Sequence, residues 1–134
     1  MVTRSTWDQY FMLLAEQAAT RATCSRLHVG AIVVQNRHVV STGFNGAPKG
    51  MSHCVHTDDT PCYISVHAEA NALLFDRSPL GFSKVMYVTH APCNDCAKLI
   101  LNTDIETVVF GRQYRSNAGL ELLEQGGVRI ERVA

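Results

Sequence analysis

Two short segments of the 134-residue chain carry side chains that could hold a metal ion. The first is His67-Ala68-Glu69, and the second is Pro92-Cys93-Asn94-Asp95-Cys96. Each segment alone is weak evidence, because a Cys-x-x-Cys pair can also be a redox pair, half of a zinc finger or two buried small residues. A lone histidine at the start of a helix is more often a surface residue than a ligand.

Together, the two segments offer one imidazole and two thiolates, a donor set that zinc prefers. Three protein ligands leave the fourth tetrahedral position open for water, which is typical of a catalytic site. Glu69 is not needed as a ligand, so we predict that it faces this water as general acid and base. The two segments therefore predict a catalytic zinc site with His67, Cys93 and Cys96 as ligands.

Hydrophobic periodicity and turn residues predict the elements that position these ligands. An amphipathic helix over residues 6–21, with Ser5 or Thr6 as N-cap, precedes a hairpin that turns at Gln35-Asn36-Arg37. Strands are predicted over residues 29–34, 38–44, 84–89, 107–111 and 128–133, and further helices over 67–76, 92–102 and 117–125. Cys93 and Cys96 then fall in a first helical turn, where amide N–H groups and the helix dipole favour thiolates.

This order predicts one α/β domain over residues 1–134, a three-layer arrangement with helices on both faces of the sheet. The chain is 46% hydrophobic and 18% charged, so it can bury a core. Twelve basic and twelve acidic residues cancel, which speaks against a nucleic-acid partner. We expect a soluble cytoplasmic protein without membrane contact, because neither a signal peptide nor an apolar membrane span is visible. Five cysteines, an odd number, favour metal ligation or thiol chemistry over a disulfide framework.

The pattern H-x-E followed by P-C-x-x-C resembles the signature of the zinc-dependent nucleobase deaminases. The likeness narrows to the deoxycytidylate (dCMP) deaminase family through residues 43–48 (GFNGAP), 67–72 (HAEANA) and 87–98 (YVTHAPCNDCAK). It extends over nearly the whole chain and implies a mixed five-stranded sheet flanked by helices. It also implies hydrolysis of dCMP to dUMP and ammonia, with Glu69 carrying protons between the attacking water, N3 of cytosine and the leaving ammonia.

The same resemblance implies a small nucleotide as substrate. Its monophosphate needs only a few donors, and basic or polar residues in predicted loops could supply them. The substrate-binding candidates are Arg26, Asn45, Ala68, Arg112, Tyr114 and Arg115. Each of the charged candidates could also be an ordinary solvated charge, and Asn45 could simply be a turn residue.

Members of the family bind dCTP as activator and dTTP as inhibitor, in hexamers. The segment of this chain that resembles their effector site contains Gly43, Asn45, Gly46 and Lys49, and Mg²⁺ would accompany a regulatory triphosphate. A generic Gly/Pro turn would give the same sequence.

A second, structural zinc is implied by the likeness to those dCMP deaminases that carry one. Cys24 and Cys54 fall at matching places, and Cys62 with His56 would complete a Cys₃His set. His53 could replace His56, and Ser65 stands where one variant of the family has a carboxylate ligand. Buried structural cysteines are the alternative for all three thiols.

Two other functions remain open at this point. The chain could deaminate a C5-modified dCMP or another nucleobase, or it could be a non-catalytic, zinc-stabilised module that binds nucleotides. Glu69 favours an enzyme, since a structural zinc site does not require it.

Overall fold

The computed structural model describes residues 3–55, 62–113 and 116–133 of the chain. Within these ranges helices and strands alternate as the sequence predicts. The helices are α1 (Trp7–Ala19), α2 (Ala68–Leu74), α3 (Asn94–Leu101) and α4 (Ala118–Gln125). The strands are β1 (Gly30–Gln35), β2 (His38–Phe44), β3 (Lys84–His90), β4 (Ile105–Arg112) and β5 (Arg129–Arg132). None of the described helices combines the length and the hydropathy that crossing a bilayer requires.

The five strands form one mixed sheet in the order β2-β1-β3-β4-β5. β1 is antiparallel to both β2 and β3, whereas β3, β4 and β5 are parallel to one another. This confirms the predicted mixed five-stranded sheet. β2, β3 and β4 all end on the same side of the sheet. We call the edge formed by these strand ends the upper edge. β3 begins at the opposite, lower edge, beside the β1–β2 turn.

The helices cover both faces of the sheet, as predicted. Phe11 and Ala15 of α1 pack on Ile32 and Tyr87 on one face. On the other face, α2, α3 and α4 bury the side chains that alternate with these, including Val33. α3 lies between α2 and α4. Alternation of buried side chains along β1 therefore produces two core layers from one strand.

α2 packs closely on β2 because Gly43 has no side chain. A Cβ atom built at Gly43 would clash with the carbonyl oxygen of Ala68 and lie 2.5 Å from the nitrogen of Ala72. Ser41, two residues earlier on β2, donates a hydrogen bond of 2.5 Å to the carbonyl of Ala72. The position of α2 over the sheet is thus fixed by direct backbone contact.

The helix boundaries differ from prediction by two residues at three places. α1 ends at Ala19 rather than residue 21, because Arg21 and Ala22 bond three residues back instead of four and tighten the last turn. α2 ends at Leu74 rather than residue 76. The prediction that Pro92 lies in the first turn of α3 is wrong, because Cys93 has the extended backbone of an N-cap and Pro92 precedes it.

Candidate metal centre and active site

The three predicted zinc ligands come together at the upper edge of the sheet. His67 is the N-cap of α2, Cys93 is the N-cap of α3, and Cys96 lies in the first turn of α3. The Nδ1 atom of His67 is 3.3 Å from the Sγ of Cys96 and 3.4 Å from the Sγ of Cys93. All three ligand atoms lie within 4.8 Å of one another. This donor set and spacing fit a tetrahedral zinc ion with one position left for a non-protein ligand.

The local electrostatics make Cys93 the stronger acid of the two thiols. Hydrogen bonds from Cys96 and His67 lower the pKa of Cys93 to about 4, although burial acts in the opposite direction. The amide of Cys96 also donates to the Cys93 sulfur, over 3.5 Å. The hydrogen bond to Cys93 and burial raise the pKa of Cys96. The N-terminal end of α3 therefore supplies the amide and thiol donors that stabilise a thiolate.

Glu69 lies in the first turn of α2, beside the predicted ligands and not among them. Its side chain is only 5% exposed and lines the same cleft as His67 and Cys93. Burial raises its pKa to about 7, while its own backbone amide and the charge of His67 act to lower it. A carboxyl group with this pKa can both accept and release a proton near neutral pH.

A cleft of about 330 Å³ opens in front of Glu69 and the ligands. Three predicted substrate-binding residues line it, namely Arg26, Asn45 and Ala68. Arg26 is half-buried, and Ala68 is fully buried at the start of α2. The remaining wall contains Cys24, Leu27, Val29, Cys62, Ser65 and Asp95. The cleft is therefore polar at its rim and holds the acid–base candidate within its wall.

Asn45 supports the wall of this cleft through both ends of its amide. Its Oδ1 accepts a hydrogen bond of 2.7 Å from the amide of Val29, and its Nδ2 donates one of 2.7 Å to the carbonyl of Leu27. These partners determine which end of the amide is oxygen. The carbonyl of Asn45 accepts from the amide of Thr23 as well. One Nδ2 hydrogen remains for a ligand, so a sugar contact and a structural role are both compatible with this geometry.

The other predicted nucleotide contacts lie away from the cleft or outside the described residues. Arg112 is exposed and lines a separate groove beside α1. Tyr114 and Arg115 lie outside the described residues. Of the effector-site residues, Lys49 is exposed, whereas Gly43 is buried beneath α2 and Gly46 pairs with Val66 in an isolated bridge. The cleft itself thus offers Arg26, rather than Arg112, as a cation.

Three thiols of the predicted second zinc site also come together. Cys24, Cys54 and Cys62 have sulfur atoms within 4.8 Å of one another. Burial, with hydrogen bonds to Cys24 and Cys62, raises the pKa of Cys54 to about 12. His56 lies outside the described residues, and His53 is exposed and is not part of the cluster. None of the five cysteines forms a disulfide.

The sequence did not single out Ser65 as a cleft residue in its own right. Its Oγ is buried and has no hydrogen-bond partner among the residues that the structure describes, and its amide donates to the Cys62 sulfur over 3.4 Å. Ser65 therefore lies in the wall between the three-thiol cluster and the catalytic ligands. The sequence signal that could have predicted Ser65 as a cleft residue is its position two residues before His67.

Comparison with known proteins gives a consistent picture. Residues 5–112 match the cytidine and deoxycytidylate deaminase zinc-binding region. The chain is 40% identical to a deoxycytidylate deaminase of Mycobacterium phage D29, over 84% of this chain and 99% of that protein. It is 38% identical to ComE operon protein 2 of Bacillus subtilis strain 168, over 97% of this chain and 72% of the relative.

A solved structure is also similar. The crystal structure of dCMP deaminase from the cyanophage S-TIM5, in complex with dCMP and dUMP, superposes with a TM-score of 0.88 at 32% identity. The match covers 98% of this chain and 100% of that one.

Proposed function

This chain belongs to the cytidine and deoxycytidylate deaminase family, and on that premise we propose that it hydrolyses dCMP to dUMP and ammonia with zinc as cofactor. The observation that carries the proposal is the buried Glu69 beside a three-ligand metal site in a cleft of nucleotide size. A purely structural zinc site would not need a carboxyl group buried in the cleft beside its ligands. This argues against a non-catalytic nucleotide-binding module.

His67, Cys93 and Cys96 would hold the zinc ion. When bound there, zinc supplies a Lewis acid that lowers the pKa of a water molecule. Glu69 accepts a proton from the attacking water and delivers it to N3 of cytosine. The C4 hydroxyl group formed by that attack then gives its proton through Glu69 to the exocyclic amine, the C4–N bond breaks, ammonia leaves, and the C4 carbonyl of dUMP remains. The buried position of Glu69 keeps bulk water away from these transfers.

The remainder of the nucleotide would occupy the rim of the cleft. Arg26 is the cation of the cleft wall, so we assign it to the 5′-phosphate as a charge-assisted donor. The second hydrogen of the Asn45 amide is available for the deoxyribose. Arg112, Tyr114 and Arg115 stay predictions for phosphate binding, and Gly43, Gly46 and Lys49 stay predictions for an effector nucleotide with Mg²⁺. The hexameric assembly also stays a prediction.

We further propose a second zinc at Cys24, Cys54 and Cys62, with His56 as fourth ligand. The support is the close approach of three thiols from well-separated parts of the chain. Three thiolates and one imidazole form a closed structural set. Because both zinc sites require reduced thiols, we expect the protein to act in the cytoplasm.

The deciding experiment measures ammonia release and the ultraviolet change on dCMP, CMP, deoxycytidine, dCTP, 5-methyl-dCMP and guanine. We expect kcat/KM to be highest for dCMP and at least about tens-fold lower for deoxycytidine, because a charge-assisted phosphate contact contributes about 1.5 to 3 kcal/mol. Arg26→Ala should narrow that difference, whereas Arg21→Ala, an exposed cation outside the cleft lining, should not. Equal efficiency on dCMP and deoxycytidine would contradict the assignment, and activity on none of the compounds would favour the binding module.

A further inference from the structure

A buried lysine closes the end of the molecule opposite the metal ligands. Lys84 begins β3 at the lower edge of the sheet and is 2% exposed. Its Nζ lies 3.2 Å from an oxygen of Asp76 and 3.3 Å from an oxygen of Asp104. Both carboxylates are themselves held by further donors. Ser78 donates to Asp76 through its amide and its hydroxyl, over 2.8 and 2.5 Å, and Gly81 donates to Asp104 over 3.0 Å.

The two aspartates come directly after the two helices that carry the metal ligands. The amide of Asp76 still bonds to the carbonyl of Leu73 in the last turn of α2, over 3.3 Å. Asp104 lies three residues after Leu101, the last residue of α3, and its carbonyl accepts from the amide of Lys84 over 3.2 Å. One ammonium group therefore joins the C-terminal ends of α2 and α3.

The N-terminal ends of the same helices supply His67, Cys93 and Cys96. β3 connects the two ends of this frame, since it begins at Lys84 and leads through Ala91 and Pro92 into Cys93. α2 and α3 are short, with seven and eight residues, so a change of tilt at one end is transmitted to the other. A cation at each end, the ammonium group and the metal ion, would fix both helices relative to the strand between them.

We propose that Lys84, with Asp76 and Asp104, is a positioning residue that pre-arranges the catalytic metal ligands. Stability alone is a weak reason to bury this triad, because buried ion pairs often contribute little net stability compared with apolar side chains of similar size. What a buried pair can supply is a defined geometry. Metal ligands held in place before the metal binds lose less entropy on binding, so the triad should slow metal loss.

The test compares metal release from the zinc-loaded protein to a chromophoric chelator, at a temperature well below unfolding. Lys84→Met removes the charge at similar length, and Lys84→Arg keeps a cation as the conservative rescue. Phe11→Leu is the matched control, because it should lower the stability of the protein by a change in α1, on the opposite face of the sheet. His67→Ala should lack the release phase of the catalytic site. Comparison with this variant therefore distinguishes that phase from the release of the proposed second zinc.

We expect Lys84→Met to release catalytic zinc about tenfold faster than wild type, which is the smallest effect typical of removing a direct hydrogen-bond partner of a metal ligand, because Lys84 acts through the helices and not by contact with a ligand. Lys84→Arg should restore much of the retention, and Phe11→Leu should release metal as wild type does. The kcat for dCMP should fall in Lys84→Met while KM changes little, because the cleft wall with Arg26 and Asn45 is not part of this frame.

Release no faster than in Phe11→Leu would overturn the proposal. If Lys84→Met does not fold, Asp104→Ala takes its place, because Asp104 is the more exposed of the two carboxylates and its loss leaves Asp76 paired. Asp104→Ala should accelerate release several-fold, and no acceleration would also overturn the proposal. The inference rests on the proposed zinc-dependent function. Because zinc release is measured without substrate, the release rates would still test the role of Lys84 if the protein failed to deaminate dCMP.

Discussion

Replacing Gly43 with alanine should impair catalysis from a position whose nearest neighbours across the packing interface are backbone atoms of Ala68 and Ala72. The new Cβ would lie 2.5 Å from the Ala72 nitrogen, whereas ordinary contacts begin at 3.4 Å. α2 must therefore move outward by at least about 0.9 Å, the difference between these distances, because the Ala68 carbonyl oxygen lies closer still and a helix backbone cannot rotate away as a side chain could. Overpacking of this kind costs about 1 to 3 kcal/mol of stability, or roughly 3 to 15 °C in Tm.

The displaced helix carries His67 and Glu69, so the effect on turnover should be larger than the effect on folding. A misplacement of about 1 Å in a catalytic group can cost about 10²-fold in rate. We expect kcat of Gly43→Ala to fall by about that factor while the protein still folds and binds zinc.

The assay measures kcat on dCMP beside thermal unfolding, for Gly43→Ala and for Gly30→Ala. The second variant is a matched control, because a Cβ at Gly30 would clash with the backbone of α1 on the other face of the sheet. Both should lose stability, and only Gly43→Ala should lose most of its turnover. A Gly43→Ala protein that is destabilised like the control, yet turns over within about threefold of wild type, would refute the reasoning from α2 placement.

Three further predictions follow from the site and its support. Glu69→Gln should retain zinc but lower kcat by more than the roughly 10² to 10⁴ of simple acid–base catalysis, because it serves several proton transfers; turnover above a tenth of wild type would contradict its role. Cys54→Ser should reduce zinc from two ions to one per chain by elemental analysis and lower the Tm; an unchanged metal count would contradict the second site. Asp76→Asn should lower the free energy of unfolding by about 1 to 3 kcal/mol at neutral pH. Although burial acts to raise the pKa of Asp76, hydrogen bonds from Ser78 and Lys84 lower it. The stabilisation is therefore present above about pH 4 and is lost below it. The difference in unfolding free energy between Asp76→Asn and wild type should disappear below that pH.

The close approach of His67, Cys93 and Cys96 could be predicted from sequence because zinc-ligand chemistry leaves few alternatives. Two thiols three residues apart at a helix start, with an imidazole at another, restrict the geometry more than any hydrophobic pattern does. The alternation of predicted helices and strands along the chain likewise predicted a sheet covered on both faces. The exact first residue of α3 could not be predicted, because proline is accepted both inside a first turn and just before the N-cap.

Contacts between distant segments could not be predicted in the same way. Lys84 at the start of a strand looks like a solvated charge, and only the folded chain brings Asp76 and Asp104 to it. Arg112 illustrates the converse problem. The sequence indicates that it ends a strand at the edge where the ligands lie, but not which groove its side chain enters. Substrate binding was predicted for Asn45, but the sequence contains no sign of the bonds from its amide group to Leu27 and Val29.

The two edges of the sheet differ in how much change they should tolerate. Metal ligands and cleft residues gather at the upper edge, whereas the lower edge carries the β1–β2 turn and the turn between α4 and β5. Asn36 and Arg37 have positive φ in the first turn, and Gly127 has φ +86° in the second, with open space around it. An added reporter peptide is tolerated best where few backbone groups are buried. An insertion beside Gly127 would therefore give a labelled enzyme with an unchanged active cleft, while one between Asn36 and Arg37 would sacrifice the stacking of Arg37 over Trp7, 5.0 Å away.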